Sequence, residues 1–521
     1  MTSPLGRLRP EHPPVRRVDD LVAAFGLGTL GADPAGRTST GVSMSSTDVA
    51  PGDVFVAVPG LKVHGARFAA DAVARGAVAV LTDPEGVGFA GDLDVPVLVA
   101  EDPRALAGPV AAWAFDDPAR HLVTVGVTGT NGKTTTTYLV DAALRTRHER
   151  TALLGTVELR IGEDAVESPR TTVEAPVLQS LVALAHERGA TAMTTEVSSH
   201  ALALGRVNGL VFDVVAFTNL QRDHLDFHGD MEGYFRDKER LFAPEQARRG
   251  VVVVDDVWGQ RLADESPIPV ETVSTHVGSR CEAYADWSVV EADIGLDGVG
   301  SRFVLRGPDG VRHEAHSPLP GLVNVSNAAL AIVVAHAAGV PLEDAVRGVA
   351  GAHAIPGRME RVVERGDGWP LCLVDYAHTP EALELALDAV RPITPGRLLL
   401  VLGSDGDRDR GKRPLLGEVA GRLADVVVVT DENPRSEDPA SIRAAVLDGV
   451  RRARPDLADV HEATSRAQAI RDALALAGPD DTVIVTGKGH EPTQEIAGVF
   501  HRYNDRDVFL AARAERSGQH A

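Results

Sequence analysis

Cysteine is nearly missing from this 521-residue chain, which contains only Cys281 and Cys372. The two residues are far apart in the sequence and show no metal-ligand spacing, so neither a disulfide framework nor a zinc site is expected. A protein with so few cysteines is typical of a reducing compartment, and we expect a cytoplasmic location.

Basic residues and long apolar runs are also scarce. The 52 lysines and arginines are outnumbered by 74 aspartates and glutamates, which gives a net charge of -22. Nucleic-acid binding requires a basic surface, so no nucleic acid is expected as the main partner. No run of about 18 apolar residues could span a bilayer, so we expect a soluble protein without a membrane partner. Residues 1–18 lack the apolar segment of a secretory signal, and we expect them to be disordered.

The residues that are present predict a large α/β protein. A chain of this length exceeds what one hydrophobic core usually organises, which predicts several domains. Apolar strand-like runs alternate with alanine-rich helical segments, as in folds built on parallel sheets. We divide the chain into blocks 1–118, 119–356 and 357–521. The third block contains three apolar runs that each precede a polar loop, namely LLLVLG, DVVVVT and TVIVT.

The stretch LVTVGVTGTNGKTTTTYLV, residues 122–140, is similar to a phosphate-binding loop. The strict consensus G-x-x-x-x-G-K-[ST] requires a glycine where Val127 stands. LVTVGV predicts a buried strand and the residues after Lys133 predict a helix, so loop N–H groups and the helix dipole would favour a bound phosphate. Lys133 adds a positive charge, and the Thr134 hydroxyl can bind Mg²⁺. The alternative is an ordinary glycine turn followed by a surface lysine.

Two further polar loops follow apolar runs in the same block. Glu196 lies in TTEVSSH, and His224 lies in RDHLDFH beside Asp223 and Asp226. Loops at the carboxyl ends of parallel strands form the ligand crevice of such sheets. Glu196 can therefore complete a Mg²⁺ shell with Thr134, and His224 can hold a second metal ion. In isolation, each residue would be an ordinary polar side chain.

Nine motifs occur along the chain in the order TGTNGKTT, TTEVSSHAL, TNLQRDHLDFHGD, GLVNVSNA, GRMER, DYAHTPEAL, GDRDRGKRP, DENPRSEDP and GKGHE. Together they resemble the Mur ligases of peptidoglycan synthesis, and in particular the MurE type, which adds 2,6-diaminopimelate. The resemblance extends from about residue 38 to about residue 510. It implies a three-domain α/β architecture with an N-terminal UDP-binding domain, a central P-loop ATP-binding domain and a Rossmann-like C-terminal domain for the amino acid. We expect a monomer.

The resemblance also implies which residues bind ATP and Mg²⁺. The expected ATP-binding residues are Thr128, Gly129, Thr130, Asn131, Gly132, Lys133, Thr134, Thr135, Asn327, Arg358, Asp375 and His378. The expected catalytic residues are Lys133, Glu196, His224 and Lys238, and two Mg²⁺ ions would be bound by Thr134, Glu196, His224 and Lys238. At the position of Lys238 the family carries a carbamoylated lysine, whose carbamate is an anion that can bind Mg²⁺. The residue pattern alone indicates a solvated helical lysine there.

The substrates are expected at two further groups of residues. The UDP-muramoyl-dipeptide would be bound by Ser46, His64, Gly65, Thr171, Thr172, Ser198 and Arg206. The family pattern D-S-R-x-V is absent around Ser46, and Leu204 stands where many relatives have glutamine. Diaminopimelate would be bound by Arg408, Glu432, Asn433, Pro434, Arg435, Gly487 and Glu491, and Glu432 replaces the aspartate of the family motif D-N-P-R.

Diaminopimelate differs from lysine by an additional carboxylate. The guanidinium of Arg435 matches that carboxylate bidentately, and Glu491 would bind the ammonium of the same amino-acid group. The implied reaction forms an acyl phosphate from ATP and the D-glutamyl carboxylate, which an amine then attacks. Two alternatives remain open: a ligase for lysine or glutamate, such as a folylpolyglutamate synthetase, and an ATP-binding switch or motor module. A switch needs no amino-acid pocket, so the loops of the third block argue against it.

Overall fold

The computed structural model describes residues 8–60, 62–295 and 300–518. The chain divides into two compact units. Unit 1 comprises residues 1–274, 284–286 and 330–348, and unit 2 comprises residues 275–283, 287–329 and 349–521. Both units contain sheets together with helices, as the α/β prediction requires. Of the helices in the described ranges, none is long and apolar enough to cross a membrane.

The first part of unit 1 is a five-stranded sheet with helices on both faces. Its elements are β1 (Arg16–Arg17), α1 (Val18–Phe25), β2 (Gly28–Gly31), β3 (Thr38–Ser39), β4 (Gly41–Ser43), β5 (Asp53–Val56), α2 (Ala69–Ala74), β6 (Ala79–Thr82), α3 (Pro84–Ala90), β7 (Pro96–Val99) and α4 (Pro103–Ala114). The strand order is β2-β7-β6-β5-β4, and only β2 runs antiparallel to its neighbour. Val54 packs in the core with α1 and α4, whereas Phe55 packs with α2 and α3 on the other face. Successive strand side chains point to opposite faces, so both faces are apolar.

The expectation that residues 1–18 are disordered is wrong for residues 8–18, while residues 1–7 lie outside the described residues. Arg16 and Arg17 form β1 and pair with β3. The guanidinium of Arg9 donates to the buried carboxylate of Asp53 at 2.7 Å and to the carbonyl of Asp48 at 2.9 Å. Composition indicated a solvated segment, but these partners are distant in the sequence and satisfy its polar groups.

The second part of unit 1 is a mainly parallel sheet. Its elements are β8 (Val123–Thr128), α5 (Lys133–Leu144), β9 (Thr151–Leu154), β10 (Glu158–Ile161), β11 (Asp164–Glu167), α6 (Ala175–Glu187), β12 (Ala192–Glu196), α7 (Ser199–Ala203), β13 (Val214–Phe217), α8 (Leu225–His228), α9 (Met231–Glu239), β14 (Gly250–Val253), α10 (Val257–Glu265) and β15 (Val270–Ser274). The order is β11-β10-β9-β12-β8-β13-β14-β15, with β10 and β11 antiparallel. The predicted strand LVTVGV and the helix after it are confirmed as β8 and α5. Because β8 lies between β12 and β13, the loops that follow these three strands meet at one edge.

Unit 2 begins with an antiparallel meander formed by β16 (Trp287–Ile294), β17 (Ser301–Arg306) and β18 (Arg312–Ser317). Two helices follow in the chain, α11 (Leu322–Ala337) and α12 (Leu342–Ala350), and residues 330–348 of this segment belong to unit 1. Alternating side chains of β17 are buried, as in a strand with one face on a core.

The C-terminal part of unit 2 is a six-stranded sheet. Its elements are β19 (Glu360–Val363), β20 (Leu371–Asp375), α13 (Pro380–Val390), β21 (Leu398–Leu402), α14 (Lys412–Leu423), β22 (Val426–Val429), α15 (Pro439–Ala453), β23 (Val460–Glu462), α16 (Arg466–Leu476), β24 (Thr482–Thr486), β25 (Thr493–Ile496), β26 (Val499–Arg502) and α17 (Asp505–Gly518). The order is β19-β20-β24-β21-β22-β23, and only β19 is antiparallel to its neighbour. The three apolar runs predicted as strands are confirmed as β21, β22 and β24. These strands are neighbours, so the polar loops after them lie side by side.

Candidate functional site

A glycine loop, residues 129–132, joins β8 to α5. Gly129 and Gly132 have φ values of 142° and 87°, which favour glycine. A Cβ at Gly129 would lie 1.8 Å from the hydroxyl oxygen of Thr218, so a side chain has no room there. Helix α5 starts at Lys133 without a side-chain cap. A helix that starts directly after a glycine loop is the arrangement found in many sites that bind phosphate.

Residues after β13 hold this loop in place. The backbone N–H of Thr130 donates to the carbonyl of Asn219 at 2.9 Å, and that of Asn131 donates to the Asn219 side chain at 3.1 Å. The amide of Asn131 donates to Gln221 at 2.8 Å, and the Thr218 hydroxyl donates to the carbonyl of Asn131 at 2.6 Å. The loop is therefore fixed by contacts from a segment almost ninety positions further along the chain.

Two lysines converge on the loop. Lys133 Nζ donates to the carbonyls of Gly129 and Thr130 at 3.0 and 2.8 Å. Lys238 Nζ donates to the same Gly129 carbonyl at 2.8 Å and lies 4.6 Å from the ring centre of Tyr234. The Lys238 side chain is buried, contrary to the solvated lysine that its helix alone indicated. Burial, and then the charge of Lys133, lowers the pKa of Lys238 well below its ordinary value.

Glu196, at the end of β12, lies at the start of α5. The Thr134 hydroxyl donates to its Oε2 at 3.0 Å, and Thr156 donates to both carboxylate oxygens at 2.7 and 2.9 Å. Gly155 leaves room for this carboxylate, since a Cβ there would lie 2.4 Å from Oε1. A carboxylate beside a hydroxyl is a donor set that suits Mg²⁺.

The side chains around Thr134 and Glu196 determine how a Mg²⁺ ion could be held there. Within residues 8–60, 62–295 and 300–518, no cluster of three or more His, Cys, Asp and Glu side chains could hold a metal ion. Thr134 and Glu196 offer two oxygen donors, so a Mg²⁺ ion bound by them would need phosphate and water oxygens as further ligands, which is how Mg²⁺ is usually bound.

His224 lies at the start of α8 with a φ of 52°. Its Nε2 is 3.3 Å from the carboxylate of Asp223, and its ring centre is 4.9 Å from that of His200. Burial lowers the pKa of His224; Asp223 opposes this effect, and the charges of Lys133 and Lys238 add to it. The ring centre of His224 is 6.5 Å from that of Tyr234, whose hydroxyl is 3.2 Å from that of Thr130, so His224 lies near the glycine loop.

The four predicted dipeptide-binding residues of this sheet are brought together beside Glu196. Thr172 Oγ1 donates to the Glu196 carbonyl at 2.9 Å and accepts from the Ser198 N–H at 3.1 Å. The hydroxyl oxygens of Thr156 and Thr171 are 3.1 Å apart. Arg206 donates to the Thr172 carbonyl at 3.4 Å and forms an ion pair with Glu174.

The predicted uridine-end residues lie on the five-stranded sheet. Ser46 is in a turn after β4. His64 is buried, its Nε2 is 3.1 Å from Asp83, and its Nδ1 accepts the N–H of Ala66 at 3.0 Å. A Cβ at Gly65 would lie 3.0 Å from the Val58 carbonyl. Both ring nitrogens of His64 are therefore used to fix its own loop.

In unit 2, three of the predicted nucleotide residues gather around Tyr376. Asp375, at the end of β20, accepts N–H groups from Met359 and Ala377 at 2.7 and 2.9 Å, and burial raises its pKa. The guanidinium of Arg358 lies 4.4 Å from the Tyr376 ring centre, and the ring of His378 lies 4.7 Å from it. Asn327 is on α11, where its amide donates to Asn324.

The predicted amino-acid residues come from the loops after β21, β22 and β24. Arg435 lies 3.3 Å from the carboxylate of Asp405 and 3.5 Å from that of Glu495. The Asn433 amide donates to Glu491 at 3.0 Å. Arg408 is exposed and donates to the carbonyl of Asp407. These loops thus place cationic and anionic groups within one cluster.

The same cluster contains close backbone contacts at Glu432, Pro434 and Gly487. A Cβ at Gly487 would lie 2.2 Å from the Glu432 carboxylate, and one at Gly406 would lie 1.9 Å from the Pro434 carbonyl. Burial, and then the charge of Asp405, raises the pKa of Glu432 to about 7. Glycine at position 487 thus provides space for this buried carboxyl.

Comparison with known proteins decides the family. The sequence matches the Mur ligase catalytic domain over residues 38–107, the Mur ligase middle domain over residues 127–335, and the Mur ligase glutamate ligase domain over residues 357–489. It is 45% identical to the UDP-N-acetylmuramoyl-L-alanyl-D-glutamate–2,6-diaminopimelate ligase of Streptomyces avermitilis, across 99% of this chain and 100% of the relative. The chain belongs to the Mur ligase family. It is also 47% identical to the UDP-N-acetylmuramyl-tripeptide synthetase of Leifsonia xyli, across 97% and 98% of the two chains.

Solved structures support the same three-domain Mur ligase architecture. A structure of a UDP-N-acetylmuramoyl-L-alanyl-D-glutamate–2,6-diaminopimelate ligase is 32% identical, has a TM-score of 0.67, and covers 94% of this chain and 97% of its own. The Mycobacterium tuberculosis folylpolyglutamate synthase complexed with ADP is 21% identical, with a TM-score of 0.59 and coverages of 74% and 91%. At that identity the likeness shows the fold alone.

Several residues around the predicted site of this Mur ligase were not predicted from the sequence. Thr156 holds Glu196, Asn219 holds the glycine loop, and Lys488 contacts Asn433 and Glu491, two residues of the predicted amino-acid pocket. His200 has its pKa lowered to about 4 by burial and by His224. Lys488 could have been noticed from its place inside GKGHE, whereas nothing local distinguishes Thr156.

Proposed function

We propose that this protein is an ATP-dependent ligase that adds meso-2,6-diaminopimelate to UDP-N-acetylmuramoyl-L-alanyl-D-glutamate in peptidoglycan precursor synthesis. The observation that carries the proposal is the cluster that contains Arg435, Asn433 and Glu491. It combines a cation for an additional carboxylate with an anion for the adjacent ammonium. The names of the relatives from Streptomyces and of the 32% identical structure support this choice of substrate.

The proposal assigns a role to each domain. Residues 1–118 would bind the UDP group, residues 119–356 would supply most of the ATP-binding residues, and residues 357–521 would bind the amino acid and supply the other residues assigned to ATP. The residues assigned to ATP are Thr128, Gly129, Thr130, Asn131, Gly132, Lys133, Thr134, Thr135, Asn327, Arg358, Asp375 and His378. The residues assigned to the UDP-muramoyl-dipeptide are Ser46, His64, Gly65, Thr171, Thr172, Ser198 and Arg206.

The chemistry proceeds in two steps. An oxygen of the D-glutamyl carboxylate attacks the γ-phosphorus of ATP, and ADP leaves. The amine of diaminopimelate then attacks the acyl carbon, loses a proton and displaces phosphate. Negative charge spreads over phosphoryl oxygens in the first step, so the positive end of helix α5 and Lys133 would stabilise it.

Two Mg²⁺ ions are proposed near the loop, where they would neutralise phosphate charge. Thr134 and Glu196 would hold one ion, and His224 with a carbamate on Lys238 would hold the other. The buried position of Lys238 and its lowered pKa support the modification, because a neutral amine reacts with carbon dioxide. The carbamate would replace a buried cation by an anion beside the metal ions.

The diaminopimelate pocket is assigned to Arg408, Glu432, Asn433, Pro434, Arg435, Gly487 and Glu491. Arg435 would bind the distal carboxylate, and Glu491 would bind the ammonium beside it. We further propose that the enzyme acts as a monomer in the cytoplasm, where ATP is supplied.

A phosphate-release assay tests the function. We expect release only when ATP, the UDP-muramoyl-dipeptide and meso-diaminopimelate are all present, with a tripeptide product detected by mass spectrometry. The Leifsonia relative is named a tripeptide synthetase without an amino acid, so L-lysine is the comparison substrate. Equal efficiency with L-lysine would contradict the substrate, and release without any amino acid would contradict the ligase reaction.

A further inference from the structure

Lys488 is the most enclosed charged group of the C-terminal loops. Its side chain is fully buried, although lysine is rarely buried without partners. Nζ donates to the side-chain oxygen of Asn433 at 2.9 Å, to Oε2 of Glu491 at 2.9 Å and to the carbonyl of Thr493 at 2.7 Å. An ammonium has three N–H donors, so these three acceptors satisfy it completely.

The contacts of Lys488 determine how the Asn433 amide is oriented. The Asn433 oxygen accepts from Lys488 and also from the backbone N–H of Glu495 at 3.2 Å. With its oxygen held by two donors, Asn433 directs its NH₂ group to Oε2 of Glu491 at 3.0 Å. Without Lys488, the amide would lose the charged donor that favours this orientation.

Glu491 is oriented by the same group. Its Oε2 accepts from both Lys488 and Asn433, and its side chain is about one-third exposed. One carboxylate oxygen is thus fixed by two donors, which sets the direction of the other. Lys488 lies in the loop after β24, directly after Gly487, the glycine that accommodates Glu432. Because it bonds to Asn433 in the loop after β22, the lysine connects the two loops.

We propose that Lys488 is a positioning residue for amino-acid selection. From its buried position it orients Asn433 and Glu491, and it does not touch the substrate. This inference rests on the proposed function, because it takes the cluster to be the diaminopimelate pocket. A buried ammonium between a carboxylate and an amide oxygen keeps both groups at fixed angles, and that fixed geometry would be required for recognition of an amino-acid group.

The test compares Lys488→Met with wild type by steady-state kinetics. We expect KM for meso-diaminopimelate to rise at least about tenfold, because two substrate-facing groups lose a charged hydrogen bond. KM for ATP and for the UDP-muramoyl-dipeptide should stay within about twofold of the wild-type values, since Lys488 contacts none of the residues assigned to these two substrates. Should Lys488→Met fail to fold, Lys488→Gln, which retains two N–H donors, is measured by the same criteria.

A matched control is Arg443→Met, which removes another buried cation near the same loops. Arg443 pairs with Asp431 and Glu462 and contacts neither Asn433 nor Glu491. It should lower the melting temperature and leave KM for diaminopimelate unchanged. An equal rise of KM in this control, or an equal rise for all three substrates in Lys488→Met, would identify a general loss of structure and overturn the inference.

A double-mutant cycle separates positioning from direct contact. If Lys488 acts only through Asn433 and Glu491, adding Lys488→Met to the combined variant Asn433→Ala/Glu491→Ala should change KM for diaminopimelate by no more than about twofold. Full additivity of the two effects would overturn the inference. Wild-type protein that shows no diaminopimelate-dependent phosphate release would instead contradict the proposed function, so the two failures are distinguishable.

Discussion

Lys133 and Lys238 donate to the same carbonyl oxygen, that of Gly129, at 3.0 and 2.8 Å. Two ammonium groups on one acceptor repel each other, and the charge of Lys133 contributes to the lowered pKa of Lys238. The repulsion ends if Lys238 becomes an anion, which is what carbamoylation achieves.

Lys238 is predicted to carry a carbamate in the active enzyme. Its buried amine is neutral more readily than an exposed one, because burial disfavours the ammonium. Carbon-13 bicarbonate should label wild type and the exposed-lysine variant Lys62→Ala, but not Lys238→Ala, and activity should fall in CO₂-free buffer and recover with bicarbonate. A free amine in fully active protein would contradict this prediction.

Lys133→Ala is predicted to remove ligation while the fold is kept. The side chain is only partly buried and bonds to loop carbonyls, so its main contribution is charge near the expected phosphates. Loss of one such group should lower kcat by about 100- to 1000-fold. Phosphate release and thermal unfolding are measured together, with the surface variant Arg452→Ala as control. Near-normal kcat at an unchanged melting temperature would show that the loop does not serve phosphoryl transfer.

The sequence predicted elements whose signals are local. Strand β8 and helix α5 follow from an apolar run and a glycine turn, and the proximity of Thr134 to Glu196 follows from the rule that ligand loops lie at strand carboxyl ends. The support of the loop by Asn219 could not be predicted, because it joins residues 88 positions apart in the sequence. The burial of Lys238 could not be predicted for the same reason, because it depends on a contact with the distant Gly129, whereas its helix alone indicates a solvated face.

Glu432 is predicted to make stability depend on pH. Burial and Asp405 raise its pKa from 4.5 to about 7, so the folded protein binds an additional proton between these values. The stability that this carboxyl contributes is full below the unfolded pKa and is lost as the pH rises through about 7. Glu432→Gln should therefore raise the free energy of unfolding by about 2–3 kcal/mol near pH 8, and by less than about 1 kcal/mol near pH 5.

Urea unfolding of the ligand-free protein at the two pH values measures this difference. Glu418→Gln provides the control, since this partly exposed carboxylate pairs with Arg452 and lies outside the amino-acid cluster. If Glu432→Gln raised the free energy of unfolding equally near pH 5 and near pH 8, the Glu432 carboxyl would be ionised at both pH values. The prediction would then be wrong.

Arg435 is predicted to decide between meso-diaminopimelate and L-lysine. Its guanidinium lies between Asp405 and Glu495, at 3.3 and 3.5 Å, and its backbone is fixed by the Glu495 carbonyl and the Ala497 N–H. The acids hold the planar group in place, and an incoming carboxylate would form a bidentate contact that lysine, which lacks the carboxylate, cannot form. Losing a charged contact of this kind in a partly buried site costs about 2–4 kcal/mol, which corresponds to about 30- to 1000-fold in selectivity.

The ratio of kcat/KM for meso-diaminopimelate over L-lysine is therefore expected to fall by that factor in Arg435→Ala. Most of the loss should come from the diaminopimelate reaction, because lysine makes no contact that the substitution removes. Arg410→Ala is the matched control, since this exposed arginine pairs with Glu437 on the neighbouring loop and carries no assigned substrate contact. A wild-type ratio near one, or a ratio that Arg435→Ala and Arg410→Ala change equally, would refute the role of Arg435, because selectivity would then come from elsewhere in the pocket.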